Sequence, residues 1–344
     1  MARILIFSDT HFTNKPDDEY RQDLWKQGAE LIKELKPKYL LLAGDLTEAK
    51  DQHNSKLVNR IVDGIIEWAR LMGLHDGDLW ILRGNHDGYA VDWPFFRFLG
   101  NYPNIKYFAQ PTSNFVDGSE LLFLPHSRDP VADWASIDMT DKIVFAHVTV
   151  NNAIAESMQK LTSSVESDLF TKARIAFSGD VHKPQEVGPL IYIGSPYNVR
   201  FSDNFDGNAI VFETKNCEWH RIPLEFPRRY TLDITSIDDL ERLFKTKIVP
   251  NKGHQVKIRL TISPKHDNTK TWRQIKDYSK TYVLENGCVY MGCTLKKDFD
   301  TRITSAPRED RKYTNFESYC SIRNIPEKLK TLGAKILETA KTTR

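Results

Sequence analysis

The 344 residues are 40% hydrophobic and carry 48 Lys and Arg against 46 Asp and Glu, with four cysteines. They leave ample chain for a large domain and a smaller appendage, and no apolar run approaches the ~20 residues of a membrane span. The near-neutral total hides an asymmetry: 22 basic against 31 acidic residues up to residue 220, a net −9, then 26 against 15 from residue 221, a net +11.

From the N-terminus, RILIF (3–7) is a short buried-strand pattern with no signal peptide before it, so the chain is expected to be cytoplasmic. An amphipathic stretch from about Glu19 to Leu35 predicts a helix ending before Pro37, and KYLLLAGD (38–45) predicts a second strand. Helical spacing over 54–73 and a strand entering a turn over 78–87 continue the alternation, which predicts a parallel sheet core covered on both faces. The pattern then changes. Strand-like pieces at 104–108, 120–126, 142–148, 173–182, 190–195, 208–213 and 217–222 follow with few long helices, so a second, mixed sheet is expected.

PLEFPRRYTLDI (223–234) carries two prolines across the charge boundary and predicts a domain junction. A helix over 237–247 and a strand over 255–262 predict a small α/β cap. After a charged linker (304–314), residues 321–341 have apolar residues at helical spacing, a stripe that must bury against something. The expected division is 1–226, 227–303 and 304–344. The basic second part suits a polyanion such as nucleic acid or an acidic partner surface, with a solvated basic face as the bland reading.

Cys217, Cys288, Cys293 and Cys320 have no zinc-finger or redox spacing, and read as reduced thiols; Cys288 and Cys293 are too few for a zinc site. Five apolar runs, however, end in metal-ligating residue types: SDTH (8–11), AGDL (43–46), RGNHDG (83–88), AHVT (146–149) and SGDVH (178–182). One Gly-Asp at a strand end is more often a turn than a ligand, but five in register argue for convergence. Oxygen ligands mixed with imidazoles suit Mn²⁺, Fe²⁺ or Zn²⁺, in numbers sufficient for two ions.

These motifs resemble those of the calcineurin-like metallophosphoesterases, D-x-H, G-D, G-N-H-D/E, a later H and a final G-H-x-H. Asp9 and His11, Gly44 and Asp45, Gly84 to Asp87, and His147 match; in the last motif Gly179 and His182 match but Asp180 stands where the first histidine is expected. GSPYNVRFSD (194–203) resembles the stretch after the last motif in SbcD-type repair nucleases, and HVTVNNA (147–153) with the short chain is most similar to small subunits of bacteriophage recombination exonucleases. The likeness covers roughly residues 1 to 230. It implies a sandwich of two mixed β-sheets flanked by helices, followed by the cap and C-terminal helices.

Carried over by residue, the resemblance implies one ion on Asp9, His11, Asp45 and His182 and a second on Asp45, Asn85, His147 and Asp180. Asp45 would bridge ions ~3.5–4 Å apart, which together activate a hydroxide and polarise a phosphodiester. His86 would contact the phosphate or protonate the leaving 3′ oxygen, with Asp87 orienting its ring. His53 is a second phosphate contact or a surface-loop histidine. Asp180 lowers the charge of the centre by one, favouring Mn²⁺, or Mg²⁺, over zinc; the bland reading is a weakened second ion and vestigial activity. His75, His126, His220, His254 and His266 read as surface or packing residues; Trp25, Trp68, Trp93 and Trp134 read as core, and WPFFRF (93–98) as a packed amphipathic segment.

The resemblance thus implies a metal-dependent DNA exonuclease or endonuclease subunit in end processing, recombination or repair. Its expected partners are DNA and an SMC-like, SbcC-type ATPase docked on the C-terminal helix (325–340), for the chain has no G-x-x-x-x-G-K-[ST] of its own. A homodimer through the first domain is expected by analogy only. A small-molecule or cyclic-nucleotide phosphodiesterase or phosphatase is the second reading. GDLTEAK in place of G-D-x-V-D-R-G counts against a protein phosphatase. A non-catalytic scaffold is the third reading, opposed by the retained His86.

Overall fold

The computed structural model describes residues 2–90, 93–155, 158–247, 253–262, 269–297 and Thr331. The chain divides into two units, Met1–Lys296 and Lys297–Arg344. The linker expected at 304–314 and the helices expected over 321–341 lie outside the described residues, apart from Thr331, which is helical.

Strand and helix alternate first: β1 (Arg3–Phe7), α1 (Asp23–Leu35), β2 (Tyr39–Leu42), α2 (Ser55–Gly73), β3 (Asp78–Leu82) and β4 (Ile105–Phe108). Local chemistry sets the helix limits. Asn54 caps α2 by accepting from the Leu57 amide at 2.9 Å, and α1 ends at Lys36 in the left-handed region just before Pro37. The stretch expected as a helix from Glu19 is a 3₁₀ turn over Pro16–Gln22 that feeds α1.

The middle of the chain contributes β5 (Thr112–Val116), β6 (Ser119–Leu124), the short α3 (Pro130–Asp133), β7 (Ile143–His147), β8 (Ile175–Gly179), β9 (Gln185–Val187) and β10 (Leu190–Tyr192). Two further strands, β11 (Asn208–Glu213) and β12 (Trp219–Pro223), return to the first sheet. Its order is β12-β11-β1-β2-β3-β4, parallel from β1 to β4 and antiparallel at β11 and β12. The second sheet runs β5-β6-β7-β8-β10-β9, parallel in its middle and antiparallel at both edges. These are two mixed sheets flanked by helices, the sandwich that the sequence resemblance implies.

Side-chain alternation along each strand splits the core into layers. Ile4, Ile6, Leu41, Trp80 and Leu82 of the first sheet meet Phe123, Phe145 and Phe177 of the second, with Trp80 edge-on to Phe123 at 5.2 Å. The opposite faces of β1 to β3, with Leu5, Phe7, Leu40, Leu42 and Ile81, pack under α1 and α2 against Ile32, Ile61, Ile65 and Trp68. Each fully buried aliphatic or phenyl side chain contributes about 1.5–3 kcal/mol. Trp25, Trp68 and Trp134 are core residues as expected, but Trp93 is 74% exposed. Between Trp93 and Leu99 only Pro94, Phe96 and Leu99 are buried, so the apolar run there covers the core on one side alone.

A third sheet, β13 (Arg229–Ile234), β14 (Gln255–Ile262) and β15 (Val289–Lys297), packs with α4 (Ile237–Lys247) and α5 (Thr269–Glu285) around its own core, including Leu232, Phe244, Ile258 and Val283. This cap is pinned to the sandwich by buried charge. The Arg229 guanidinium pairs with Asp18 and donates to the Val199 carbonyl and, at 2.9 Å, to Gln255 Oε1, while Gln255 donates to the Asp17 carbonyl. Arg21 completes the cluster, 3.5 Å from Asp18 and donating to the carbonyls of His11 and Val199. Among the described residues no helix is long and apolar enough to cross a membrane.

Candidate metal centre

Parallel strands bring the expected residues to one edge. Asp9 and His11 follow β1, Asp45 follows β2, Asn85 to Asp87 follow β3, His147 ends β7, and Asp180 and His182 follow β8. These are carboxyl ends of parallel strands, where open α/β sheets place their ligands. The loops after β1 and β2 are zipped together: the Asp9 amide donates to the Gly44 carbonyl at 3.1 Å and the His11 amide to the Asp45 carbonyl at 2.9 Å.

Reversing the chain this sharply puts Asp9, His11, Asp45 and Asp180 at φ of 53°, 40°, 55° and 81°, the left-handed region that side chains other than glycine seldom occupy. Such backbone costs roughly 1–3 kcal/mol per residue and persists where the surroundings over-determine it. Gly179 answers a different need. A Cβ there would lie 2.3 Å from Ser8 Oγ and 2.7 Å from His147 Nδ1, so only a bare backbone lets β8 approach β1 and β7.

Asp45 lies between two imidazoles. Its Oδ2 is 3.4 Å from His11 Nε2 and its Oδ1 is 3.4 Å from His147 Nε2. Ligand atoms lie within 4.8 Å of one another in three groups: Asp9, His11 and His182; His11, Asp45 and His86; and Asp9, Asp45 and His147. His11 Nε2 and His182 Nε2 are 3.0 Å apart, and Asp180 Oδ1 lies 3.7 Å from His147 Nε2. The Asp180 amide donates to Asp9 Oδ1 at 3.1 Å, tying the two sheets together across the centre.

The second nitrogen of two rings is spoken for. His147 Nδ1 lies 2.9 Å from the Ala43 carbonyl, which fixes the proton there and turns Nε2 toward Asp45 and Asp180. His11 Nδ1 lies 3.1 Å from Glu48 Oε2. His147 Nε2, Asp9 Oδ2 and Asn85 Oδ1 are all buried without a hydrogen-bond partner, a cost that buried polar atoms rarely bear unless something coordinates them. With three buried carboxylates among imidazoles, this donor set fits divalent ions that accept both oxygen and nitrogen.

The electrostatics agree. Burial pushes the Asp9 carboxyl up to about 7 against the pull of His147, and burial likewise raises Asp180. Burial also opposes ionisation of Asp45, but His147, His11 and His86 together hold it below the usual carboxylate range. His147 is raised well above the ordinary imidazole value, because Asp45, Asp180 and Asp9 outweigh the burial of its charge. His182 goes the other way, driven well down by burial with His11 and Arg200 adding to it. Protons thus sit where carboxylates crowd, as expected of a site built for cations.

One expected role changes. Asp87 does not orient His86: its carboxylate accepts from the amides of Gly84 at 2.7 Å, Leu46 at 2.9 Å and Asp45 at 3.1 Å, clamping the loop that carries Asp45. The His86 ring is oriented by the Glu48 carbonyl, 2.7 Å from Nδ1, while its amide donates to Asp45 Oδ1 at 2.8 Å. His53 lies 3.2 Å from the Lys50 carbonyl and edge-on to Phe95 at 4.4 Å, outside the three ligand groups. His126, read as a packing residue, meets the His147 ring edge-on at 6.3 Å, and burial lowers it to about 4.

Two residues escaped the sequence reading. Glu48 reaches His11 with its side chain and His86 with its carbonyl, and Thr149 donates to Asp180 Oδ2 at 2.6 Å, fixing the carboxylate that replaces the expected histidine. Both lie inside the quoted motifs GDLTEAK and AHVT, where a polar side chain three residues beyond Asp45 and two beyond His147 was the available signal.

Comparison with known proteins agrees with this geometry. Residues 2–184 match the calcineurin-like phosphoesterase family. Exonuclease subunit 1 of Enterobacteria phage T4 is 22% identical over 281 residues, 72% of this chain and 78% of the relative. Solved structures with some likeness include an archaeal phosphodiesterase (TM-score 0.35, 15% identity, 64% of this chain and 99% of the other). GAP50 of Plasmodium (0.37, 12%, 65% and 89%) and a dimetal phosphatase from Danio rerio (0.37, 9%, 65% and 99%) are others. With the family match spanning more than half its length and its motif residues gathered at the carboxyl ends of strands from both sheets, the chain belongs to the calcineurin-like phosphoesterases.

Proposed function

We propose that this phosphoesterase is a metal-dependent DNA nuclease subunit acting in end processing, recombination or repair. The observation that carries the reading is Asp45, one carboxylate lying 3.4 Å from imidazoles on either side, with His86 against it. Asp9, His11, Asp45 and His182 would hold one divalent ion, and Asp45, Asn85, His147 and Asp180 the other. Two such ions supply Lewis-acid polarisation of a phosphodiester and activation of water.

The chain's own groups do the rest. His86 donates its Nδ1 proton to the Glu48 carbonyl, and with a second proton on Nε2 the ring would donate that one to the phosphate or to the departing 3′ oxygen. Asp87 acts indirectly, as the clamp on the Asp45 loop. The carboxylate of Asp180 favours Mn²⁺ or Mg²⁺ over zinc. His53 is retained as a contact for phosphate further along the strand.

DNA as substrate draws support from the phage T4 relative, an exonuclease subunit by name, and from charge. Residues 221–297, which include the cap, hold 16 basic against 8 acidic residues, so most of the positive excess belongs to the cap rather than to the C-terminal stretch. We take 1–226 as the nuclease domain, 227–303 as the DNA-binding cap, and 304–344 as the segment that docks on an SMC-like ATPase, with the first domain able to pair protomers in the cytoplasm.

End-labelled linear DNA incubated with Mn²⁺ tests the reading. The wild type should cut it, and His86→Ala and Asp180→Ala should each lose at least about 100-fold. A wild type that hydrolyses a small diester but leaves DNA intact, even beside its ATPase partner, would replace the nuclease with a small-molecule phosphodiesterase.

A further inference from the structure

Two aromatic rings stand out in the stretch that follows His86. Tyr89 and Trp93 are 63% and 74% exposed, and among the described residues they are the only exposed aromatic rings faced by a cation. The Lys50 ammonium lies 5.4 Å from the Tyr89 ring centroid and the Arg97 guanidinium 4.9 Å from that of Trp93. Exposing two large rings in one short segment forgoes the stabilisation that burial would bring, which calls for a ligand.

Their position is fixed by groups belonging to the centre. Tyr89 comes three residues after His86; its amide donates to Asp51 Oδ2 at 3.0 Å, in the loop that also carries Asp45 and Glu48. Its carbonyl accepts from Arg128 at 2.9 Å, two residues beyond His126, whose ring abuts His147. Behind Trp93, the Phe95 amide donates to the Asp87 carbonyl at 2.9 Å. Both rings are therefore anchored to the loops that hold the ligands.

An aromatic face beside basic side chains is the chemistry that binds unpaired nucleobases: bases stack on the rings and the cations pass to the phosphates. A base inside a duplex has both faces covered, so these rings can serve only bases that have left it. Resting on the nuclease reading, we propose that Tyr89 and Trp93 form a stacking platform for unpaired bases next to the scissile phosphate. The preferred substrate is then single-stranded DNA or a frayed duplex end.

Full-length protein is titrated with a fluorescent single-stranded oligonucleotide and with a blunt duplex, using Ca²⁺ in place of Mn²⁺ to hold off cutting. Tyr89→Ala and Trp93→Ala should each weaken single-strand binding about fivefold or more, with a smaller effect on the duplex, while Trp93→Phe keeps most of the affinity. Melting temperatures equal to that of the wild type establish that each variant is folded. Unchanged single-strand affinity in the double variant overturns the platform, as do equal losses on both DNAs. Unchanged DNA binding with altered self-association would make the rings a protein contact and also overturn it. If the wild type with Mn²⁺ leaves end-labelled DNA intact, the nuclease reading fails and takes the platform with it; DNA cutting with unaltered affinity in the variants removes the platform alone.

Discussion

Glu48 serves two imidazoles at once, His11 through its carboxylate and His86 through its carbonyl. Contact with His11 is the main reason that carboxylate is held at about 2. A carboxylate behind a ligating imidazole fixes the ring and raises its basicity, and losing one typically costs 10–100-fold in metal affinity. Glu48→Ala should therefore weaken Mn²⁺ binding by roughly that factor in a metal titration while leaving the backbone support of His86 intact. Equal affinity in the variant would show that His11 needs no such partner. That the candidate ligands gather in one place was legible in the sequence because each follows an apolar strand, where position alone brings it to the carboxyl end of its sheet. Glu48 and Thr149 were not, since what a loop side chain touches depends on the path of the loop. Asp87 misled for the same reason: adjacency to His86 suggested a partner, but the turn after β3 points its carboxylate back at three amides.

Among the elements, β8 depends most on the absence of a side chain. Gly179 closes the strand where β1 and β7 come nearest, and an added methyl would meet Ser8 Oγ, the Ala43 carbonyl and His147 Nδ1 all within 2.7 Å. None of these can retreat without moving a ligand or breaking the Ala43 contact that fixes the His147 tautomer. Gly179→Ala should lower stability by about 1–3 kcal/mol and impair metal binding, measured by denaturant unfolding and by titration. A variant as stable and as metal-competent as the wild type would mean the sheets have slack at this point. Strands with strong apolar runs were read correctly in place, among them residues 208–213 and 255–262. The edge strands β5 and β9 were not, because TSNFV and QEV bury little and carry no alternation to detect. Trp93 was misplaced because periodicity predicts which face of a segment is apolar, and a ring kept exposed for a ligand obeys the same pattern.

For the whole molecule, the centre links protonation, metal and stability. Asp9, Asp180, His11 and His147 all have folded values above their ordinary ones, so each contributes stability that is full below its unfolded pKa and is lost as pH rises through its folded pKa. His182, depressed by burial, works in the opposite sense. Asp45 and Glu48 are depressed as well and already ionised at pH 6, so their contribution is lost only in acid. Between pH 6 and 8 the metal-free centre should therefore lose stability as Asp9 and His147 are drawn toward giving up their protons, with the depressed His182 and His126 working against that loss. Divalent ions, which displace those protons, should restore more at pH 8 than at pH 6, as thermal melts with and without Mn²⁺ would record. A metal-free protein equally stable across that range would contradict the assigned clustering.

In the proposed centre one carboxylate, Asp45, would be shared by two ions, while His86 would serve the chemistry and neither ion. Counting metal per chain after loading with Mn²⁺ and removing excess tests it directly, by elemental analysis of the wild type, Asp45→Ala and His86→Ala. Two ions are expected in the wild type, two in His86→Ala with hydrolysis lost, and none retained in Asp45→Ala. One ion surviving in Asp45→Ala, or metal lost from His86→Ala, would contradict it.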